Sequence, residues 1–497
     1  MKIWSITLIL LIVFKTYSQG NTEEFNTLNA YKSCILKGET QDIEDFISED
    51  FRVGVYQSPM ATKYFGDVIE NITRPNTMFW DAVLEKQGKR YCKVHYVFSD
   101  HEEVSNVIFS KKGKLLYSDY LDKKAFNFDR YGTSKKVATI PFKYNQGAII
   151  LKVKLNGSER ELNMLFDTGA DGLALKSDLQ KAMNVKVSSK RNVFVPGGEI
   201  TVNYSKENSI ELGDFKLENQ NMVMFPRIRE GIDGIVGGSN FFRNYITEVN
   251  FELSQIRLYT FGENNFFEDY EVTSFRYSQG VPTIPIVISS QGNTFESEFI
   301  LDAGANYQAI MFGSGTKQQD EALLAQSMRP LFTTYNTSVG HKNPVEMGLV
   351  DSISFAGLTF KDASLAVEAY DAERHAAHEV LGSIGIQFLR RLNWVIDLNT
   401  YHFYTQKHTE SMLPLDFVLG DYLLGYVNNV LVVKRHLKEV VVTSNTDDLT
   451  LKQWDRIMSI DGVSFKDLDS NKIKEFQKNK KVPIQIYRRG QMLNIEI

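Results

Sequence analysis

Two stretches of the chain share one pattern of apolar and polar positions. Residues 164 to 175 read "MLFDTGADGLAL" and residues 299 to 310 read "FILDAGANYQAI". In each, an apolar run of the kind found in a buried strand ends on an aspartate, passes through small residues and turns apolar again. A turn glycine precedes each aspartate by ten residues: Gly157 in "LNGS" before Asp167, and Gly292 in "SQGN" before Asp302. Each aspartate is therefore predicted to end the second strand of a hairpin. Downstream, "DGIVGGSNFFRNYITEVNFELSQIRLYTF" is answered by "LGSIGIQFLRRLNWVIDLNTYHFYT". Both run from an apolar residue through an apolar or small one to glycine, then a short helix and a closing hairpin. Asp167 and Gly237 are 70 residues apart, and Asp302 and Gly385 are 83 apart. Four features repeated in one order predict two homologous halves, at 136–265 and 275–408.

The flanking regions are patterned differently. Residues 19–135 begin with helical periodicity in "LNAYKSCILKG" and "QDIEDFISEDF". They then alternate as strands in "KRYCKVHYVFSD" and "VSNVIFSKKGKLLYSDYLD", which predicts a small α+β domain of unknown role. Residues 413–497 contain "YLLGY", "VLVVKRH", "EVVVTS", "WDRIMSIDGVSF", a helical "SNKIKEFQKN" and "VPIQIYRRGQMLNIEI". That pattern predicts a compact unit of short strands with two helices. At the amino end, Lys2 precedes a twelve-residue apolar run from Ile3 to Phe14, and Thr16 and Ser18 take the small-residue positions before a cleavage point. Residues 1–18 read as an export signal, since a membrane span needs about 20 apolar residues. The expected location is periplasmic or secreted.

Composition narrows the functions. A chain of 497 residues is too long for one core, and 43% hydrophobic with 24% charged residues is ordinary for a globular protein. A net charge of -5 provides no electrostatic footprint for nucleic acid. The only two cysteines, Cys34 and Cys92, precede the first aspartate motif. In an oxidising compartment they could pair, closing a loop worth about 4 kcal/mol, or remain free thiols. Neither a Cys nucleophile nor a thiolate metal site is expected. His375 and His378 in "ERHAAHE" stand three apart, as metal ligands on a helix can, but without further nearby ligands they read as a solvated face. No metal or other cofactor is expected. Ser, His and Asp are scattered without a nucleophile elbow, which disfavours a serine hydrolase.

An aspartate can help cleave a peptide bond without metal or covalent intermediate when a second carboxyl lies against it. One acts as base on water, the other as acid, and like charges that close share a proton. "FDTGA" and "LDAGA", each followed by an apolar-apolar-glycine signature, resemble the pepsin and retropepsin aspartic proteases over about 270 residues. The resemblance implies a mainly β, bilobal acid-protease fold with Asp167 and Asp302 as the catalytic pair around one water. It implies Thr168, Gly169 and Gly304 as supports of that pair. Ala303 departs from the family, where Thr or Ser at this position braces the two loops; the loss is expected to loosen the dyad rather than abolish its chemistry. Family members also close a hairpin flap over substrate, for which "VFVPGGEITVNY" around Gly197 and Gly198 and "TTYNTSVGHKNPVEM" around Gly340 are candidates.

The last 85 residues resemble a PDZ domain. Leu424, Gly425 and Tyr426 look like the loop whose backbone amides receive a terminal carboxylate while a peptide adds to a sheet edge. Together these readings predict an exported bacterial aspartic endopeptidase acting on polypeptides, with the PDZ-like unit tethering substrate or C-terminal peptides of partners. The alternative is a noncatalytic peptide-binding scaffold acting through that unit.

Overall fold

The computed structural model describes every residue except 1–21, 41–42, 87, 127, 196–197, 279, 314–323, 339–340, 370–379, 409–410, 412 and 439–449. The export signal, Gly197, Gly340, His375, His378 and all of "EVVVTS" thus lie outside the described residues. The described residues up to Ser134, with Phe261–Asn264, form one compact unit; Lys135–Thr260 with Asn265–Ile497 form another. No described helix is long and apolar enough to cross a membrane.

In the first unit, strands Thr77–Trp80, Lys89–Val97, Glu102–Phe109 and Leu115–Ser118 form one antiparallel sheet, accompanied by helices Thr22–Lys37, Met60–Asn71 and Asp119–Phe126. The middle helix buries Ala61, Phe65, Val68 and Ile69, the spacing of one helical face, in a core with Tyr31, Phe51 and Val94. The strand pattern expected to continue through "SDYLD" is corrected: a helix starts at Asp119. Its first turn carries Asp119 and Asp122 and its last turn Lys123 and Lys124, the charge order that suits a helix dipole. Cys34 and Cys92 are free, buried thiols. Burial is the main reason both are pushed up, to about 11 and about 12.

The second unit is built on repetition. One eight-stranded sheet runs Lys143–Asn145, Ala148–Leu155, Glu161–Asp167, Gly234–Gly237, Leu173–Lys176, Phe215–Phe225, Gly198–Leu212, Ser189–Val195. Another runs Arg276–Ser278, Val281–Ser290, Asn293–Asp302, Gly382–Gly385, Ala309–Met311, Leu358–Glu368, His341–Phe355, Arg329–Ser338. The two orders correspond strand for strand. Each sheet also pairs its second strand with its seventh, Ala148–Leu155 with Gly198–Leu212 and Val281–Ser290 with His341–Phe355, so each curls back on itself.

A six-stranded sheet joins the halves. Lys136–Pro141, Gln255–Tyr259 and Ile246–Asn250 from the first meet Leu392–Asp397, His402–Lys407 and Glu271–Ser274 from the second. Its central pairing sets Thr247 against Ile396, Glu248 against Val395 and Val249 against Trp394. Both central strands are buried at every position, and the polar residues among them, Thr247, Glu248, Asn250, Asn393 and Asp397, lie inside with their apolar neighbours. Buried Glu248 takes hydrogen bonds from Tyr259 and Arg257, at 2.7 and 3.1 Å.

The carboxy-terminal strands form a further sheet in the order Phe417–Leu419, Tyr422–Val427, Val430–His436, Arg456–Ile460, Pro483–Arg488, Gln491–Glu496. Leu424, Leu431, Ile457 and Ile486 belong to its own core. Among the described residues of this region the only α-helix is Ser470–Phe476, capped by Asp469, which accepts from the Asn471 and Lys472 amides at 2.8 and 2.9 Å; the second helical segment is a single 3-10 turn, Phe465–Asp467.

Candidate active site

The hairpins deliver both aspartates as predicted. Ala148–Leu155 pairs antiparallel with Glu161–Asp167, and Val281–Ser290 with Asn293–Asp302; Gly157 and Gly292 take the turns with φ of 72° and 82°. Each second strand then pairs in parallel with the short strand of the downstream glycine signature. Asp167 registers with Gly237 and Asp302 with Gly385. The separations of 70 and 83 residues noted in the sequence are therefore strand-register partners.

Those glycines are sterically required. A Cβ on Gly385 would lie 2.9 Å from the Ala305 carbonyl oxygen, and one on Gly237 2.5 Å from that of Ala170, so only glycine lets the aspartate loop fold over the strand end. The loop glycines face the opposite aspartate. A Cβ on Gly169 would stand 2.8 Å from Cγ of Asp302, and one on Gly304 closer still to Cγ of Asp167. Each carboxyl thus rests on the glycine of the other motif, and the two carboxyls hydrogen-bond to each other.

Asp167 Oδ1 accepts from the Gly169 amide at 2.9 Å and Asp302 Oδ1 from the Gly304 amide at 3.0 Å. Burial pushes Asp167 above the usual carboxylate range, against the pull of the Gly169 amide and the hydrogen bond from Asp302. Burial, and next the charge of Asp167, push Asp302 well up. Its Gly304 amide and the Tyr307 hydroxyl pull the other way. Like charges this close resist ionising together, so the two carboxyls titrate as one unit that shares a proton as it ionises. It contains both a base and an acid.

Thr168 crosses the seam between the motifs. Buried in the interior, its Oγ1 donates to the Leu301 carbonyl at 2.5 Å and accepts from the Ala303 amide at 2.8 Å. Ala303, fully buried, has no hydroxyl with which to return the grip. One side of the junction is therefore braced by a side chain, and the two aspartates still meet. The candidate flaps are hairpins in both halves. Ser189–Val195 registers against Gly198–Leu212, with Val195 opposite Gly198, and Arg329–Ser338 against His341–Phe355; residues 196–197 and 339–340 at their tips are outside the described residues.

The expected carboxylate-binding loop at Leu424, Gly425 and Tyr426 is corrected. All three lie within the strand Tyr422–Val427, paired with Val430–His436, and Leu424 also registers with Phe417. Their side-chain positions face packed interior: Leu424 is fully buried, Gly425 abuts the Asp416 carboxyl, and the Tyr426 hydroxyl donates to the Phe465 carbonyl. The Tyr426 carbonyl is taken by Arg390 at 3.2 Å. An apolar-glycine-apolar triplet satisfies a buried strand as readily as a loop, which is why the pattern alone misplaced it.

Two features escaped the sequence reading. Tyr307 donates from its hydroxyl to Asp302 Oδ2 at 3.3 Å and is hydrogen-bonded to the Ser383 hydroxyl. The signal available was the difference between "DTGADG" and "DAGANY". The second is a cavity of about 580 Å³ lined by Gln146, Asn306 and Gln387 from the loops around the motifs and by Val427, Asn428 and Trp454 from the carboxy-terminal sheet. Trp454 is 61% exposed there although its φ is 72°, a conformation costly for a bulky side chain. Among the described residues no three His, Cys, Asp or Glu side chains cluster as metal ligands do.

Residues 151–239, which hold Asp167 and the first glycine signature, match the family model described as aspartyl protease. Among solved structures, the chain is similar to an aspartic proteinase from Irpex lacteus at 13% identity. The match covers 56% of this chain and 98% of that one, with a TM-score of 0.38. No curated protein matches.

Proposed function

We propose that the chain is an aspartic endopeptidase in which Asp167 and Asp302 activate one water to hydrolyse a peptide bond. The observation that supports this most directly is the meeting of two carboxyls from far-apart motifs, each pressed on the other's loop glycine. A scaffold has no use for such an arrangement, because bringing two acids together out of water costs stability. In the singly protonated pair, the charged carboxylate draws a proton from water as it attacks the carbonyl carbon, and the protonated partner donates to the carbonyl oxygen. The carboxyl that took the water proton then passes it to the leaving nitrogen as the C–N bond breaks, while a hydroxyl of the tetrahedral intermediate returns its proton to the other carboxylate, which restores the singly protonated pair.

The substrate is polypeptide, lying extended between the two sheets under the hairpins of Ser189–Val195 and Arg329–Ser338. The run Ile3–Phe14 makes the protein an exported one, acting in the periplasm or outside the cell. The carboxy-terminal unit, PDZ-like in sequence, is assigned the tethering of substrate or partner. Support for this comes from the cavity that its Trp454 lines together with Asn306 and Gln146, rather than from the 424–426 strand.

Purified full-length protein is expected to cut denatured casein with an acid-leaning pH profile. Asp167→Asn and Asp302→Asn should each lower the rate by at least 10²-fold, on the order of what acid–base groups contribute. Equal cutting by parent and both variants would remove the pair from the mechanism.

A further inference from the structure

We propose that Tyr307, buttressed by Ser383, is a positioning residue that holds Oδ2 of Asp302 and makes the two carboxyls of the pair unequal. The inference deepens the protease reading and rests on it.

The geometry comes from comparing the two halves position by position. Asp167 and Asp302 each accept one amide from their own loop, at 2.9 and 3.0 Å, and each meets the other carboxyl. To this point the halves correspond. Among the described residues Asp302 alone receives a further donor, the Tyr307 hydroxyl on Oδ2 at 3.3 Å. Tyr307 follows its aspartate by five residues, and the residue five beyond Asp167 is Gly172, which has no side chain to offer. Ser383 registers with Ile300 in the second half, and its counterpart, which registers with Leu165 in the first, is Ile235. The phenol and the hydroxyl that steadies it are thus a matched pair of polar residues where the other half carries glycine and isoleucine.

A serine in that place has little other purpose. Ser383 is 1% exposed, in a strand buried at every position, and its hydroxyl is spent on Tyr307. A buried hydroxyl needs a partner, and a phenol supplied with one has its own O–H left to aim at the carboxylate. The chain runs Ser383 to Tyr307 to Asp302. Among the described residues, the titratable groups that face Asp302 are Asp167 from the opposite half and Tyr307 from its own loop; Ser383 is neutral. A donor on Oδ2 stabilises the ionised form of Asp302, so its removal makes the pair hold its proton to higher pH.

The test is the pH dependence of kcat/KM for casein with parent, Tyr307→Phe and Ser383→Ala. Tyr307→Phe keeps the ring and deletes the donor. It should displace the profile upward by about one pH unit, the effect expected for loss of one hydrogen bond to a charged group, and Ser383→Ala should move it the same way by less. A role in packing alone would lower the rate at every pH and leave the profile where it was, and that result in Tyr307→Phe overturns the proposal. Titration of ¹³C-labelled aspartate carboxyls by NMR reads the same shift without turnover. If the parent cuts nothing at any pH, the protease reading falls, whereas an unshifted Asp302 titration in both variants removes the role of Tyr307 alone.

Discussion

At the scale of single residues, the site is a place where stability is given up. Asp167 and Asp302 are held in a setting that favours their neutral forms, through burial first in both and, for Asp302, the charge of Asp167 next. A carboxyl raised in the fold contributes its stability below its unfolded value, near pH 4, and loses it as pH rises through the folded value. Replacement of either aspartate by asparagine removes that loss. Asp302→Asn is therefore expected to melt at higher temperature than the parent at pH 7, with the difference shrinking as pH falls towards 4. Calorimetry over that range checks it, and a variant that melts lower than the parent at neutral pH would contradict the assignment of buried, repelling acids. Activity and stability move in opposite directions at this pair.

Secondary-structure elements explain why glycines, rather than hydroxyls, carry most of the junction. Each aspartate is brought to the seam by a strand, and the following loop crosses over the downstream strand, Gly234–Gly237 in one half and Gly382–Gly385 in the other. One threonine binds the two loops together through the Leu301 carbonyl and the Ala303 amide. The absence of a hydroxyl at Ala303 leaves the approach of the strands intact because the close contacts are between loop backbone and carboxyl. Gly304→Ala is the sharper perturbation, since the added methyl would occupy the place of the Asp167 carboxyl. It should abolish casein cleavage while leaving the β-sheet circular dichroism unchanged. Retention of more than about a tenth of the parent rate would show that the loops can yield, contrary to the packing seen here.

The whole molecule keeps its site assembled through a sheet that touches neither aspartate. Thr247, Glu248 and Val249 pair with Ile396, Val395 and Trp394, and this one ladder sets the registration of the two halves. Trp394, 2% exposed, fills its centre. Trp394→Ala should cost about 3–5 kcal/mol of stability, and casein cleavage and β-sheet signal should be lost together on heating, at a lower temperature than in the parent. Loss of cleavage well before the sheet signal would mean that the halves part without unfolding, and that something other than this sheet holds them.

Much of this was legible in the chain because strand ends, turn glycines and repeats are local or nearly local. The hairpins and the repeated glycine signatures follow from spacing and from apolar runs that must be buried; the pairing of the aspartates rested on the resemblance to aspartic proteases, and the register of Asp167 with Gly237 and of Asp302 with Gly385 was given by the fold. The helix at Asp119 and the strand through Leu424, Gly425 and Tyr426 did not follow, since short apolar stretches fit more than one element until their neighbours are known. The bonding of Tyr307 to Ser383 was beyond reach for a different reason. The two residues are 76 positions apart, and no periodicity links a loop side chain to a strand hydroxyl. Sequence alone determined which residues are driven out of water and where the chain must turn, because those depend on side-chain chemistry and backbone freedom at each position. Tertiary structure alone decided which distant polar groups share a hydrogen bond, because that depends on how closely packed layers bring them together.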